Sequence, residues 1–124
     1  MSERKKILVC EDNKLTQRVL EVALKRMDHE ILVATDGEEG IRLIKEHEIG
    51  LIITDINMPY NSGLEIVAFV RKNYGRKIPV IIVTNISLDD TRKHAEELGA
   101  DAYITKPFDP DQLLEIIQSL NFPV

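Results

Sequence analysis

The chain contains the stretch Leu51-Ile52-Ile53-Thr54-Asp55, in which three apolar residues and a β-branched threonine lead directly into a carboxylate. Two other runs share this continuous apolar character, Ile7-Leu8-Val9 and Val80-Ile81-Ile82-Val83. A strand that is apolar at every position, rather than at alternate positions, is typical of a parallel sheet with both faces covered. These three runs therefore predict the buried centre of such a sheet.

Strand-like runs alternate with helical patterns five times. The predicted strands are Ile7–Cys10, Glu30–Ala34, Leu51–Thr54, Pro79–Thr84 and Ala102–Thr105. This alternation predicts an α/β domain with right-handed crossovers. Five strands and five helices suit a flavodoxin-like, doubly wound parallel sheet in the order 2-1-3-4-5. The length of 124 residues indicates one domain over 1–124, and no further output domain is expected in this chain.

The helical segments carry apolar stripes and capping signals. The stripe predicted for the first helix consists of Leu15, Val19, Val22 and Met27. Capping boxes or their near relatives are expected at Thr35-Asp36-Gly37-Glu38 and at Ser87-Leu88-Asp89-Asp90. Asp109-Pro110 predicts the start of the fifth helix.

Composition excludes several classes of protein. Sixteen Lys and Arg against twenty-one Asp and Glu give a net charge of −5, which argues against direct nucleic-acid binding. The single cysteine, Cys10, excludes an internal disulfide and fits a reducing compartment. The apolar runs are too short to cross a membrane, and no secretory signal is visible. We therefore expect a cytoplasmic protein.

Polar side chains follow the predicted strand ends, where the chemistry should converge. Glu11 and Asp12 follow the first strand, Asp55 the third and Lys106 the fifth, while Thr84 ends the fourth. The carboxyl ends of parallel strands lie at one edge of the sheet, and ligands bind at its switch point. We therefore expect three carboxylates in one pocket, with a lysine and a hydroxyl beside them. Taken alone, Asp12 and Asn13 also suit the cap of the first helix.

Three clustered carboxylates need positive charge. Two unit charges about 4 Å apart repel by roughly 4 kcal/mol at an effective dielectric near 20. Lys106 supplies one positive charge, and a divalent cation would supply two. Oxygen ligands without a Cys or His pair favour Mg²⁺, which commonly bridges carboxylates to a phosphoryl oxygen. The pocket is therefore expected to hold Mg²⁺ and to accept a phosphoryl group.

Each polar residue then has a predicted role. Asp55 is the candidate phosphoacceptor, since carboxylates form aspartyl phosphates. Asp12 would hold the metal directly and Glu11 partly through water. Lys106 would pair with one phosphoryl oxygen, and Thr84 would hydrogen-bond another. Positioning and charge neutralisation supply most of the catalysis in phosphoryl transfer.

These motifs together resemble the receiver domain of two-component response regulators, including the chemotaxis regulators. The resemblance extends from Lys6 to about Leu120, and it is carried by a specific set of motifs in order. They are Glu11-Asp12, Asp55 with Met58-Pro59 and Gly63-Leu64, Thr84, and Tyr103 with Lys106-Pro107.

The resemblance implies a module that catalyses its own phosphorylation and dephosphorylation rather than an ordinary enzyme. It implies a partner phosphohistidine, on a sensor histidine kinase or phosphotransfer protein, as the donor. It adds the backbone carbonyl of Asn57 to the metal ligands Glu11, Asp12 and Asp55. It also implies that Thr84 and Tyr103 move on phosphorylation and change the surface of the fourth helix, fifth strand and fifth helix.

That surface would bind a downstream protein, and the resemblance allows a monomer or a weak dimer through it. The resemblance also implies that the Lys106-Pro107 bond is cis, which would aim the lysine at the pocket, whereas the residues alone leave the isomer open. One residue departs from the family pattern, because Asn85 follows Thr84 where a small residue is usual. Its larger amide would stand at the mouth of the pocket, where it either hinders access or hydrogen-bonds the phosphoryl group.

Two other functions compete with this interpretation. A Mg²⁺-dependent phosphohydrolase of the haloacid dehalogenase type would use an Asp nucleophile, but it normally carries a second acid two residues later, where this chain has Asn57. A phosphate-independent scaffold would need no metal, and the intact acidic trio argues against it. A flavin-binding role is disfavoured because the acidic loop after the first strand would repel a flavin phosphate.

Overall fold

The computed structural model describes residues 5–120 and residue 122, and these form one five-stranded parallel sheet with helices on both faces. The strands are β1 (Lys6–Cys10), β2 (Ile31–Ala34), β3 (Ile49–Thr54), β4 (Val80–Thr84) and β5 (Ala102–Thr105). Their order is β2-β1-β3-β4-β5. The predicted fold class and strand order are confirmed.

Four helices connect successive strands, and a fifth follows β5. They are α1 (Lys14–Leu24), α2 (Gly37–Glu46), α3 (Gly63–Tyr74), α4 (Asp89–Leu98) and α5 (Pro110–Ser119), and a short 3₁₀ turn at Lys25–Met27 follows α1. Within the described residues, none of these helices has the length and apolar character that a membrane span requires.

The continuous apolar runs are explained by two separate cores. Leu8, Ile52 and Ile82 point to the face that packs with α2, α3 and α4. Their neighbours, such as Ile53 and Ile81, point to the other face and pack with α1 and α5. Because successive side chains of a strand alternate between faces, a sheet with two cores needs an apolar residue at every position.

The predicted apolar stripe of α1 is wrong. Leu15, Val19 and Val22 are 75%, 38% and 57% exposed, whereas the face that packs on the sheet consists of Leu20, Ala23, Leu24 and Met27. Of the four predicted residues only Met27 lies on the buried face, and it belongs to the 3₁₀ turn. Both stripes satisfy a helical period of 3.6 residues, so periodicity alone could not decide which one faces the core.

Helix starts follow the predicted capping residues with one exception. Asp36 caps α2 by accepting from the Glu39 amide at 2.8 Å, and Asp109 caps α5 with Pro110 in the first turn. The capping box expected at Ser87 is wrong, because α4 begins after Leu88 and has no side-chain cap. The N-terminal end of α4 is therefore less firmly fixed than those of the other helices.

Arg71 joins three segments at the amino edge of the sheet, far from the strand ends that carry the polar residues. Its guanidinium donates to the carbonyls of Gly99 (2.9 Å), Gly75 (3.0 Å) and Ile78 (2.8 Å), and to the Asp101 carboxylate (2.6 Å). That carboxylate also accepts from the Val80 amide. Arg71 thereby fixes the C-terminal ends of α3 and α4 to the start of β4.

Candidate functional site

A cavity of about 740 Å³ lies at the carboxyl edge of the sheet. It is lined by Glu11, Asp12, Asn13, Leu15, Thr16, Val19, Asp55, Asn57, Asn85, Lys106, Pro107 and Phe108. The strands β1 and β3 that flank it are the ones between which the chain order reverses, where ligands of such sheets bind. The three expected acids and the expected lysine all line this cavity.

Lys106 bridges two buried carboxylates. Its Nζ lies 2.8 Å from Oε1 of Glu11 and 2.8 Å from Oδ2 of Asp55. The side chains of Lys106, Glu11 and Asp55 are only 12%, 2% and 8% exposed. One ammonium group is therefore shared by two acids, so it offsets only one of their two negative charges in a site that water reaches poorly.

Backbone amides hold the remaining oxygen of each buried carboxylate. Oε2 of Glu11 accepts from the Asn13 amide at 3.0 Å. Oδ1 of Asp55 accepts from the amides of Ile56 (2.6 Å) and Asn57 (3.3 Å). Each acid thus has one oxygen bound to the backbone and one oxygen directed at Lys106.

Protonation of the bridge reflects burial and charge together. Burial raises the pKa of Glu11, and hydrogen bonds from Lys106 and the Asn13 amide oppose that rise. Burial by itself would lower the pKa of Lys106, but its hydrogen bonds to Asp55 and Glu11 outweigh that effect, so the pKa is raised. Lys106 therefore carries its charge at neutral pH.

The oxygen donors of this cavity suit a hard divalent cation. Within the described residues, no three His, Cys, Asp or Glu side chains stand close enough to form a ready-made metal cluster. Asp12 is exposed at the cavity wall, while Glu11 and Asp55 are engaged with Lys106. Mg²⁺ usually binds one or two carboxylates and keeps several waters, so the donor set fits it without a closed protein cage.

Thr84 lies beneath the cavity rather than in its wall. It is fully buried, and its Oγ1 accepts from the Ile86 amide at 3.4 Å. Its backbone carbonyl accepts from the Lys106 amide at 2.8 Å. Thr84 therefore anchors the segment that carries Lys106, although its hydroxyl is not among the groups that line the cavity.

Tyr103 joins β5 to the loop that follows Thr84. Its hydroxyl donates to the carbonyl of Ile86 at 2.6 Å, and the Arg92 guanidinium lies 5.2 Å from its ring centroid. Burial raises the pKa of Tyr103, while the charge of Arg92 opposes that rise. Ile86 thus links Thr84, through its amide, to Tyr103, through its carbonyl.

The two features that the resemblance singled out beside the pocket are both located. Asn85 is exposed and lines the cavity, so its amide stands at the mouth. The Lys106-Pro107 peptide bond is cis, which confirms the expected isomer.

Asn13, which caps α1, and Gln17 within α1 also contact the site, and the sequence prediction had not assigned them to it. Asn13 caps α1 by accepting from the Thr16 amide at 2.9 Å. Gln17 donates from Nε2 to the Glu11 carbonyl at 2.5 Å. The spacing of Asn13 and Gln17, one helical turn apart, is the signal that could have placed both beside Glu11.

Fold and site together define a flavodoxin-like α/β protein with an acidic, lysine-bridged pocket at the switch point between β1 and β3. The family model of the response regulator receiver domain matches residues 7–118. The chain therefore belongs to the response regulator receiver domain family of two-component signal transduction.

Individual relatives agree with this assignment. The chain is 35% identical over 118 residues to a probable transcriptional regulator, ycf27, of Porphyridium aerugineum, with 95% of this chain and 48% of the relative aligned. The chain thus spans about half the length of the curated relatives it matches.

Two solved structures share the whole fold. A CheY-like receiver domain protein of Methanospirillum hungatei superposes with a TM-score of 0.87 at 28% identity, covering 96% of this chain and 95% of that one. The phosphorylated cyanobacterial phytochrome response regulator RcpA superposes with a TM-score of 0.80 at 28% identity, covering 96% and 92%.

Proposed function

We propose that this domain accepts a phosphoryl group on Asp55 from the phosphohistidine of a partner protein, in a Mg²⁺-dependent reaction. The observation that carries the proposal is the division of labour between the two oxygens of Asp55. Backbone amides hold Oδ1, while Oδ2 is directed at Lys106 in the cavity. Oδ2 of Asp55 is placed to attack a phosphorus atom. Lys106, which now bonds Oδ2, can then bind an oxygen of the arriving phosphoryl group.

In the proposed reaction, an Asp55 oxygen forms a bond to phosphorus while the bond from phosphorus to the imidazole nitrogen breaks. The electron pair of that bond stays with the imidazole, which takes up a proton. Lys106 then pairs with a phosphoryl oxygen in place of Asp55 Oδ2. Glu11, Asp12, Asp55 and the Asn57 carbonyl would hold Mg²⁺, which neutralises charge on the transferring group when bound.

The switch proposed for this family acts here through Ile86. A Thr84 hydroxyl that turns toward the phosphoryl group gives up its contact with the Ile86 amide. The Ile86 carbonyl is the acceptor for Tyr103, so the two movements are coupled. The surface formed by α4, β5 and α5 would then change shape, and a downstream protein would bind the changed surface. The added charge of the phosphoryl group would act by shifting the balance between two conformations of this surface.

The exposed stripe of α1 suits the phosphodonor partner. Leu15 and Val19 line the same cavity as Asp55, and Val22 continues the stripe along the helix. Contiguous exposed apolar patches rimmed by polar residues are typical of protein interaction sites. We propose that a sensor histidine kinase or phosphotransfer protein docks on them, without nucleic acid or membrane.

The proposal also covers the setting of this reaction. It places the protein in the cytoplasm, where Cys10, which is buried and unpaired, stays reduced. It assigns the domain an activity only on its own Asp55. It includes a monomer or a weak dimer through α4, β5 and α5.

Labelling with a small phosphodonor tests the proposal directly. With Mg²⁺, the protein should gain one phosphoryl group that is lost in Asp55→Asn, and chelation of Mg²⁺ should abolish the gain. Asp111→Asn is the matched control, because this exposed carboxylate pairs with Arg26 and is not among the residues that line the cavity. Label that survives Asp55→Asn would refute the assignment, and steady turnover of phosphate esters would favour a phosphohydrolase instead.

A further inference from the structure

The loop between β3 and α3, residues 56–62, is closed at its base by a glycine. The Gly63 amide donates to the Ile56 carbonyl at 3.0 Å. A Cβ atom on Gly63 would lie only 2.0 Å from the carbonyl oxygen of Asp55. The two ends of this loop therefore meet directly beneath the phosphoacceptor.

A second glycine holds the far end of the same loop. Gly37, the first residue of α2, donates its amide to the Pro59 carbonyl at 3.2 Å. A Cβ atom on Gly37 would lie 1.7 Å from the carbonyl oxygen of Asn61. No side chain fits between α2 and this loop, so the backbones contact each other directly.

Backbone strain lies between these contacts. Tyr60 has a φ of 68° and is 78% exposed, a conformation that an aromatic residue seldom adopts. Such strain persists only where the surrounding structure over-determines it. Since the Tyr60 side chain is mostly in solvent, the contacts of its neighbours Pro59 and Asn61 with Gly37 are what hold this conformation.

The position of the loop decides the orientation of the phosphoacceptor. The first two amides of the loop, those of Ile56 and Asn57, donate to Oδ1 of Asp55. Oδ2 is thereby left facing Lys106 across the cavity. A loop that moved away from α2 would carry both amides with it and allow the carboxylate to rotate.

We propose that Gly37 is a positioning residue for phosphorylation, because its contact with Pro59 and Asn61 keeps Oδ2 of Asp55 aimed into the cavity. This inference rests on the proposed function of Asp55 as phosphoacceptor. The start of α2 lies on the side of the site away from α4. By this inference it helps to set the rate of phosphoryl transfer.

Two identical substitutions in one helix separate positioning from general damage. Gly37→Ala puts a methyl group against the loop, whereas at Gly40 the same methyl group would meet Cys10 Sγ at 2.9 Å, away from the loop. We expect Gly37→Ala to lower the maximum rate of Asp55 labelling by about tenfold, since small misplacements of reacting groups are costly. The half-saturating concentration of phosphodonor should change little. Gly40→Ala should stay within roughly twofold of the unmodified protein, because its methyl group meets the side chains of Cys10, Ile66 and Ala34 rather than the backbone of the loop.

Amide hydrogen exchange distinguishes a local change in the loop from a general loss of stability. Gly37→Ala should speed exchange at Ile56, Asn57 and Gly63 while leaving Ile52, in the centre of β3, unchanged. A general loss of stability would speed all four amides together. Unchanged labelling in Gly37→Ala, or an equal loss in Gly40→Ala, would overturn the proposal.

The unmodified protein tests the same contact if Gly37→Ala does not fold. Amides that open in one cooperative event share one protection factor, so Gly37 should exchange with Gly63 and Ile56. Gly40, whose amide bonds the Asp36 carbonyl within α2, should differ. Exchange of Gly37 together with Gly40 would contradict a fixed contact between Gly37 and the loop. This measurement needs no phosphorylation. It can therefore show that the contact between Gly37 and the loop is absent even if the proposed function of Asp55 is correct, and the reverse.

Discussion

The Nζ of Lys106 lies 2.8 Å from Oδ2 of Asp55, and the same nitrogen lies 2.8 Å from Oε1 of Glu11. The three side chains come from strand ends that are 44 or more positions apart in the chain. Their meeting places a single positive charge between two buried negative ones. The stability of the site and its affinity for cations should therefore be linked.

Replacing Lys106 tests that link. Lys106→Met removes the charge but keeps most of the side-chain length, so two buried carboxylates keep their backbone hydrogen bonds but lose the positive charge between them. Because removing one member of a buried ion pair costs about 3–5 kcal/mol, we expect a loss of that order in urea unfolding without Mg²⁺. Saturating Mg²⁺ should recover part of it, since a cation can replace the missing charge.

Lys14→Met is the control for this experiment, because Lys14 is exposed at the start of α1. It should change the free energy of unfolding by about 0.5 kcal/mol or less. Equal losses in the two variants would contradict the bridging role of Lys106.

Cys10 gives a prediction for alkaline pH. Burial raises its pKa from 9.0 to about 12, so the unfolded chain releases this proton at lower pH than the folded protein. The stabilising contribution is complete below pH 9.0 and is lost as the pH rises toward 12. By about pH 11 the loss should be on the order of 3 kcal/mol.

Cys10→Ala isolates the effect of the thiol, since alanine cannot titrate. The difference in unfolding free energy between the unmodified protein and this variant should shrink between about pH 8 and about pH 11. Other groups that titrate in this range, including the tyrosines and lysines, cancel in that difference. A constant difference would show that the thiol does not contribute.

Arg71 and Arg42 offer a comparison of two ion pairs. Arg71 is mostly buried and bonds Asp101 together with three backbone carbonyls, whereas Arg42 is exposed and pairs with Glu46 one turn away. We expect Arg71→Ala to cost about 3 kcal/mol or more, because a partly buried carboxylate loses its cation and three carbonyls lose the guanidinium as their donor. Arg42→Ala should cost about 0.5 kcal/mol or less. Chemical unfolding would measure both, and similar costs would refute the anchoring role of Arg71.

Two leucines of α1 test which face of that helix is buried. Leu20 is 1% exposed and Leu15 is 75% exposed. Leu20→Ala should cost about 2–5 kcal/mol of unfolding free energy, whereas Leu15→Ala should change it by about 0.5 kcal/mol or less. The reverse ranking would show that the face with Leu15 is the buried one, as the sequence pattern predicted.

Most of the architecture could be predicted because it depends on local sequence patterns, such as continuous apolar runs and polar residues at strand ends. The runs at Leu51–Ile53 and Val80–Val83 required two covered faces, and the two cores of the structure supply them. Asp55 was placed at a strand end by its neighbours alone. Parallel topology then carried it to the same edge as Glu11 and Lys106.

What could not be predicted depends on contacts between distant segments. The helical period in α1 fits two stripes, and only packing against the sheet and α5 selects Leu20 over Leu15. Ser87 has the composition of a cap, yet α4 begins one residue later than that cap would require. The approach of Gly37 to Asn61 joins the start of α2 to the loop at residues 56–62 through backbone atoms, for which no residue pattern in either segment is diagnostic.

Arg71 has a consequence for how α4 can move. The C-terminal end of α4 is tied through Gly99 and Asp101 to α3 and β4, while its first turn lacks a side-chain cap. We therefore expect any displacement of α4 to be a tilt about a pivot at Gly99 rather than a translation. NMR relaxation should show exchange that grows from Leu98 toward Asp89, and uniform exchange would contradict a pivot. Over a helix of about 15 Å, a tilt of ~10° moves the first turn by roughly 2.5 Å, so a partner that touches Asp89 and Asp90 would sense the largest change.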